Sequence, residues 1–277
     1  PEKKTIGFPY TLAIRGLFPM FRNFFEELGF NVLISGITNE KTVELSQEYS
    51  MGETCFPVKL MNGHIAQLIE KKVDYIFLPS IHTVKNTGSK SRKNYGCVYL
   101  QLLPQLISQT MNIDEKNIKI LSPKFDADLG ERYMRDIYFE LGEQLGKNSD
   151  TVMEAMKKAM LKRNDFEQKF QNIIKNTSLE LKNDEKIFVI ISKSYVVLDP
   201  VLNLGISDKI RDMGYKVIPY YDLKKPDISE EYPNLYWPMV KNSVEIGKLV
   251  KNHPNMYAIL LTNHCCGPDT AVLHYFR

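Results

Sequence analysis

The segment Cys55–Pro79, "CFPVKLMNGHIAQLIEKKVDYIFLP", decides the fold because it joins a helix directly to a strand. Pro57 stands where proline suits the first helical turn, and apolar residues recur along one face of the fifteen or so residues that follow it. The run "YIFLP" is typical of a buried strand. A helix that feeds such a strand predicts one unit of a parallel α/β sheet.

The same pattern returns near the end of the chain. Residues 236–261, "YWPMVKNSVEIGKLVKNHPNMYAILL", align with the first segment, and "KIRDMGYKVIPY" (209–220) aligns with "FFEELGFNVLIS" (24–35). Two long helices are predicted between about 129 and 181. We therefore predict an α/β fold of two Rossmann-like lobes with parallel sheets, related by an internal repeat and bridged by long helices. The alternative is that any two α/β units look alike at this level of detail.

The predicted boundary lies between residues 147 and 148. An N-terminal α/β lobe (1–147) carries Cys55 and Cys97. A helical linker and C-terminal α/β lobe (148–277) carry Cys265 and Cys266.

The composition excludes several classes of protein. The 277 residues include 36 Lys and Arg against 33 Asp and Glu, and no basic patch has interleaved aromatic residues, which argues against nucleic-acid binding. The longest apolar runs fall far short of the roughly 18 residues that a membrane helix needs. The opening "PEKKTIGF" lacks the apolar stretch of a signal peptide, so we expect a cytoplasmic location. A start at proline suggests a piece of a longer protein.

The four cysteines are too few for a disulfide scaffold, so we expect reduced thiols. Each lies in a loop that enters a predicted helix. There the positive helix end favours the thiolate, which is the form that binds metal. Metal ligands drawn from both lobes are one interpretation, and small buried hydrophobic residues are the other. The absence of a CxxC pair excludes zinc-ribbon and ferredoxin spacings.

Four stretches, 6–38, "ETCFPVKLMNGHIAQLIEKKVDYIFLPSI" (53–81), 198–220 and "NMYAILLTNHCCGPDTAV" (255–272), resemble the acyl-CoA dehydratase activase-related family (CoA enzyme activase-associated domain). That family is similar to the iron–sulfur subunits of 2-hydroxyacyl-CoA dehydratases and benzoyl-CoA reductases. Its Gly-Cys-Gly-Pro-Asp motif matches Cys266–Asp269, although Cys265 replaces the usual Gly. Its Cys-Pro segment matches Cys97, although Val98 stands where Pro is common.

The resemblance implies a 4Fe–4S cluster in the cleft between two lobes, bound by Cys55, Cys97 and Cys266, with Cys265 as a candidate fourth ligand. It also implies low-potential electron transfer from an ATP-hydrolysing CoA-enzyme activase, separate or fused, to an acyl-CoA in an anaerobic system. Because neither GxGxxG nor GxxxxGK[ST] occurs, ATP would belong to that partner. A zinc-stabilised interaction module and a metal-free two-lobed binder stay open as alternatives.

The catalytic residues are not identified by the sequence. Glu53, beside Cys55, is a candidate acid near the cluster, or a helix cap. His264, beside the cysteine pair, is a candidate donor to sulfur, or a structural histidine.

Overall fold

A computed structural model describes residues 3–50, 52–84, 90–91, 93–178, 185–219, 223 and 225–276. The chain divides into two compact units. Unit 1 comprises Pro1–Lys85 and Gly96–Glu167, and unit 2 comprises Asn86–Tyr95 and Gln168–Arg277. The chain therefore passes between the units at 85/86, 95/96 and 167/168. The boundary placed from the sequence at 147/148 stays a prediction.

Unit 1 contains a four-stranded parallel sheet and a smaller parallel pair. Its strands are β1 (Thr5–Phe8), β2 (Asn31–Ile34), β3 (Tyr75–Phe77), β4 (Ser80–Thr83), β5 (Lys119–Leu121) and β6 (Lys124–Asp126). The large sheet has the order β2-β1-β3-β5, and β4 pairs with β6. The sequence predicts the four strands of the large sheet, and the β4–β6 pair extends two of the predicted strands.

The helices of the first part of the chain are α1 (Ile14–Glu27), α2 (Glu40–Glu48), α3 (Phe56–Glu70), α4 (Val98–Met111), α5 (Gly130–Gln144) and α6 (Ser149–Ser178). Short 3-10 turns cover Ile113–Glu115 and Ala127–Leu129. The sequence predicts that Pro104 bends or breaks α4, but the helix continues through it as one element. Of these helices, α6 contributes residues to both units.

An aromatic cluster forms the core of unit 1. Phe21 and Phe25 of α1 pack against Phe77 of β3, with ring centroids 4.6 and 5.5 Å away. Phe21 also stacks on Tyr138 of α5 at 5.4 Å. Because aromatic side chains bury large apolar areas, this cluster fixes α1 and α5 on one face of the sheet.

Unit 2 contains a three-stranded parallel sheet of order β8-β7-β9. Its strands are β7 (Ile187–Ile191), β8 (Lys216–Pro219) and β9 (Met256–Leu260). Its helices are α7 (Ser194–Val197), α8 (Ile206–Asp212), α9 (Pro238–Lys251) and α10 (Gly267–Phe276). Alternate residues of β7 pack against Ile246 and Val250 of α9.

The two units repeat one topology, which confirms the fold predicted from the sequence. The order β2-β1-β3 in unit 1 matches β8-β7-β9 in unit 2. Both α3 and α9 have proline in the first turn. Gly29 and Gly214, each just before the second strand of its unit, have φ of 88° and 84°, a backbone conformation that favours glycine.

A buried lysine in α9 sets unit 2 apart from its counterpart. Lys241 aligns with the apolar Leu60 of α3, yet both are almost fully buried. The Lys241 Nζ lies 2.7 Å from Asp227 Oδ1 and 3.0 Å from Ser91 Oγ. A buried ammonium is tolerated only with such partners, so Lys241 holds residue 91, from early in the chain, within unit 2.

No helix in the described ranges is both long enough and apolar enough to cross a membrane.

Candidate functional site

Three cysteines stand immediately before helices. Cys55 precedes α3, Cys97 precedes α4 and Cys266 precedes α10. In a parallel α/β unit each helix runs antiparallel to the strands, so the first residues of these helices lie near the carboxyl ends of the strands. Open α/β sheets bind their ligands at these carboxyl ends. The prediction that the cysteines lie at helix starts is confirmed.

In unit 1, Cys55 and Cys97 begin neighbouring helices. The helices α3 and α4 pack against each other. Cys55 is buried, and Cys97 is partly buried. Each cysteine is the residue before the first helical turn, and the positive end of a helix favours a thiolate.

In unit 2, the buried Cys266 lies beside an ion pair. The Lys193 ammonium contacts Asp269 Oδ2, and Thr262 Oγ1 donates to the same carboxylate oxygen at 2.7 Å. Burial raises the pKa of the Cys266 thiol, and Asp269 adds to this, while the Lys193 charge acts in the opposite direction.

Sequence reasoning missed Lys193 and Thr262, and it included Asp269 only as the last residue of the Cys266–Asp269 motif. Lys193 follows β7 and directly precedes α7, Thr262 follows β9, and Asp269 lies in the first turn of α10. A signal was present: "IFVIISK" ends an apolar strand on a charged residue at the edge where ligands bind.

The two candidate catalytic residues lie near the surface. Glu53 Oε2 pairs with Lys59 Nζ at 3.0 Å, and the Glu53 side chain is 80% exposed. His264 is exposed as well. A different histidine, His64, is fully buried, with Nδ1 2.7 Å from Ser35 Oγ and Nε2 3.1 Å from Thr38 Oγ1. Its ring is used for packing and hydrogen bonding inside unit 1.

Cys265 differs from its neighbour in both exposure and backbone. It is exposed, and its φ of 60° places it in the left-handed region. This conformation accounts for the glycine that the related motif carries here, because a side chain in this region is strained.

Replacing Cys265 by Gly should therefore stabilise unit 2. We expect a gain of about 0.5–1 kcal/mol, since relief of left-handed strain exceeds the added flexibility of the unfolded chain. Urea unfolding followed by fluorescence of Trp237, the single tryptophan, measures it. A Cys265→Ala variant, which keeps the strain, is the control, and equal midpoints for the two variants would contradict the prediction.

Within the part of the chain that the structure describes, no three His, Cys, Asp or Glu side chains form a group that could hold a metal ion. Near Cys266 the structure places the buried Lys193–Asp269 ion pair and the start of α10, and the preceding loop contains the buried Asn263 Nδ2.

The fold and the cysteine positions define a two-unit parallel α/β protein with thiols at the starts of its helices. The chain belongs to the family described as CoA enzyme activase uncharacterised domain (DUF2229), whose model matches residues 5–222. The match includes Cys55 and Cys97 and ends before Cys265 and Cys266. A search of curated proteins finds no match.

Among solved structures, the chain is similar to a periplasmic metal binding protein from Candidatus Liberibacter asiaticus. The cadmium-bound form is 12% identical in sequence, with a TM-score of 0.28. The match covers 99% of the present chain and 85% of the periplasmic protein. A manganese-bound mutant has 13% identity and a TM-score of 0.30, with the same coverage. Likeness at this level supports no inference about this chain.

Proposed function

We propose that the chain is an iron–sulfur redox component of an acyl-CoA dehydratase or reductase type system. In this proposal Cys55, Cys97 and Cys266 bind a 4Fe–4S cluster. The observation that carries the proposal is the position of these three thiols, each at the residue that starts a helix. Membership of the CoA enzyme activase family supplies the context.

Each residue has a physical task. The starts of α3 and α4 supply a positive potential, which stabilises thiolates, whereas burial raises the pKa of the Cys266 thiol. Lys193 adds a positive charge beside Cys266, and Asp269 with Thr262 holds the ammonium in place. Burial of Cys55 and Cys266 keeps water from the sulfur atoms.

The cluster, when bound, would supply one-electron chemistry at low potential. An ATP-hydrolysing CoA-enzyme activase, separate or fused, would be the electron donor, and an acyl-CoA the class of acceptor. Cys265 is exposed and adjacent to Cys266, so we assign it no ligand role. Glu53 and His264 stay candidates for proton transfer.

Anaerobic purification, followed by reconstitution with ferrous iron and sulfide, tests the proposal. We expect a brown protein that contains iron and sulfide. Replacing Cys55, Cys97 or Cys266 by Ala should lower the iron content severalfold, because each variant lacks one of the three thiolate ligands of the proposed cluster. Cys265→Ala is the matched control and should keep its iron.

Other outcomes contradict the proposal. Zinc bound without iron would favour the zinc-stabilised module, and a protein that binds neither metal would favour the metal-free binder. Electron acceptance has its own readout: a reduced activase with ATP should bleach the visible absorption, and the same mixture without ATP should not.

A further inference from the structure

The sheet of unit 2 ends at β9, whereas the equivalent strand of unit 1 has a further neighbour. In unit 1, β3 lies between β1 and β5. In unit 2, β9 pairs with β7, and within the described ranges no strand lies on its other side. The alignment of the two repeats places Tyr257 of β9 at Tyr75 of β3, and Ala258 at Ile76.

The side chains of β9 are more exposed than those of β3. Ile76 and Phe77 of β3 are fully buried. At the equivalent positions of β9, Ala258 is exposed and Ile259 is partly exposed, and the neighbouring Tyr257 is 43% exposed. The difference follows from the sheet order, because β5 has no counterpart beside β9 in the part of the chain that the structure describes.

The main-chain groups of β9 point alternately to β7 and to the open edge of the sheet. The Leu261 N–H, one residue beyond β9, donates to Ile191 O of β7 at 2.9 Å. Successive residues of a strand direct their main-chain groups to opposite sides, so the odd-numbered residues of β9 bond to β7. The N–H and C=O groups of Ala258 and Leu260 therefore point to the open edge.

In unit 1 the equivalent groups of β3 are hydrogen-bonded to β5. Leu78, the counterpart of Leu260, donates its N–H to Leu121 O at 2.9 Å. The Lys119 N–H donates to Asp74 O at 3.1 Å, and the two strands are parallel. Unit 1 therefore shows this edge in its covered form, with a short apolar strand added in parallel.

The sequence of β9 lacks the features that usually protect an edge strand. Charged residues and proline at a sheet edge block the addition of another strand. The other edge of the same sheet has both, since β8 begins with Lys216 and ends with Pro219. The five residues of β9, MYAIL, include neither a charge nor a proline, and they pair with β7 in unbroken register. The edge of β9 can therefore accept a further strand.

We propose that the open edge of β9 is a docking surface for an apolar β-strand of a partner polypeptide, which adds parallel to β9 as β5 adds to β3. Hydrogen bonds to the main chain of Ala258 and Leu260 provide the affinity, as in other proteins that add a strand to a sheet edge. The partner side chain opposite Ala258 is large and apolar, because alanine stands where β3 has isoleucine and leaves room beside it. This docking requires no bound cluster.

Amide hydrogen exchange of the isotope-labelled metal-free chain, followed by NMR, tests the docking surface. In the dilute chain alone, we expect the amides of Ala258 and Leu260 to exchange at least about tenfold faster than those of Tyr257 and Ile259, which bond to β7. The probe is a peptide of residues 116–123, KNIKILSP, which includes β5. At millimolar concentration it should slow exchange at the two open-edge amides severalfold and leave the other two unchanged.

Two controls use the direction of single main-chain groups. Leu121 faces β3 in unit 1, so the same peptide with Leu121→Pro lacks a donor on the pairing side and should not slow exchange. In the chain, Ala258→Pro removes an N–H that points away from β7, so the bonds between β7 and β9 remain. The unaltered peptide should then no longer slow exchange at Leu260.

Three results would overturn the inference. Slow exchange at Ala258 and Leu260 in the dilute chain alone would mean that the edge is already covered. Equal slowing by both peptides, or by neither, would exclude strand addition. Slowing that rises with protein concentration in the absence of peptide, together with a dimer in analytical ultracentrifugation, would assign the edge to a second copy of the chain instead of a partner.

Discussion

Lys193→Met is expected to lower the free energy of unfolding of unit 2 by about 3–5 kcal/mol, because it leaves the buried Asp269 carboxylate without its cation. The side chains of the pair are only 8% and 9% exposed, so water cannot replace the lost ammonium. Thr262 Oγ1 still donates to Asp269, but a hydroxyl does not neutralise the charge.

Urea unfolding of the metal-free chain measures this loss through the fluorescence of Trp237, which lies in unit 2. The double variant Lys193→Met/Asp269→Leu is the informative control. Replacing both charges by apolar groups removes the unpaired carboxylate, so at least half of the stability should return. If the single variant unfolded at the parent's urea midpoint, the ion pair would not be buried as described.

Gly63→Ala is expected to destabilise unit 1 by about 3 kcal/mol. Alanine favours helices over glycine by about 1 kcal/mol, which alone would stabilise α3. A Cβ at this position, however, would lie 2.1 Å from the backbone oxygen of Thr42 in α2. A backbone carbonyl cannot rotate away as a flexible side chain can, so the two helices must separate.

Gly16→Ala in α1 is the matched control. It too is a helical glycine, but a Cβ there meets nothing within 4 Å. It should be neutral or stabilising by up to about 1 kcal/mol. Thermal unfolding followed by far-UV circular dichroism compares the two variants, and equal midpoints would refute the close packing of α2 on α3.

Most of the fold could be predicted from local sequence. Pro57 and Pro238 mark helix starts, because proline fixes its own φ angle at a helical value. Gly29 and Gly214 mark turns before strands, because glycine readily adopts a positive φ angle. The small β4–β6 pair could not be predicted. β4 and β6 each follow closely on a predicted strand. They are distinguished from the predicted strands only by their pairing with each other, which joins distant segments of the chain.

The candidate site could be predicted only in part. The cysteines are recognisable because helix starts are local features. The partners of Cys266 are not, since Lys193 and Asp269 are 76 positions apart in the chain.

The sequence by itself determined the repeated strand–helix order and the placement of thiols at helix starts, because both depend on residues close together in the chain. The tertiary structure alone decided which charges are buried and paired. Lys241 meets Ser91 across 150 positions, and the Lys193–Asp269 pair forms where β7 and β9 lie side by side. Burial makes a charge depend on its spatial neighbours, and those neighbours are set by the packing of the whole unit.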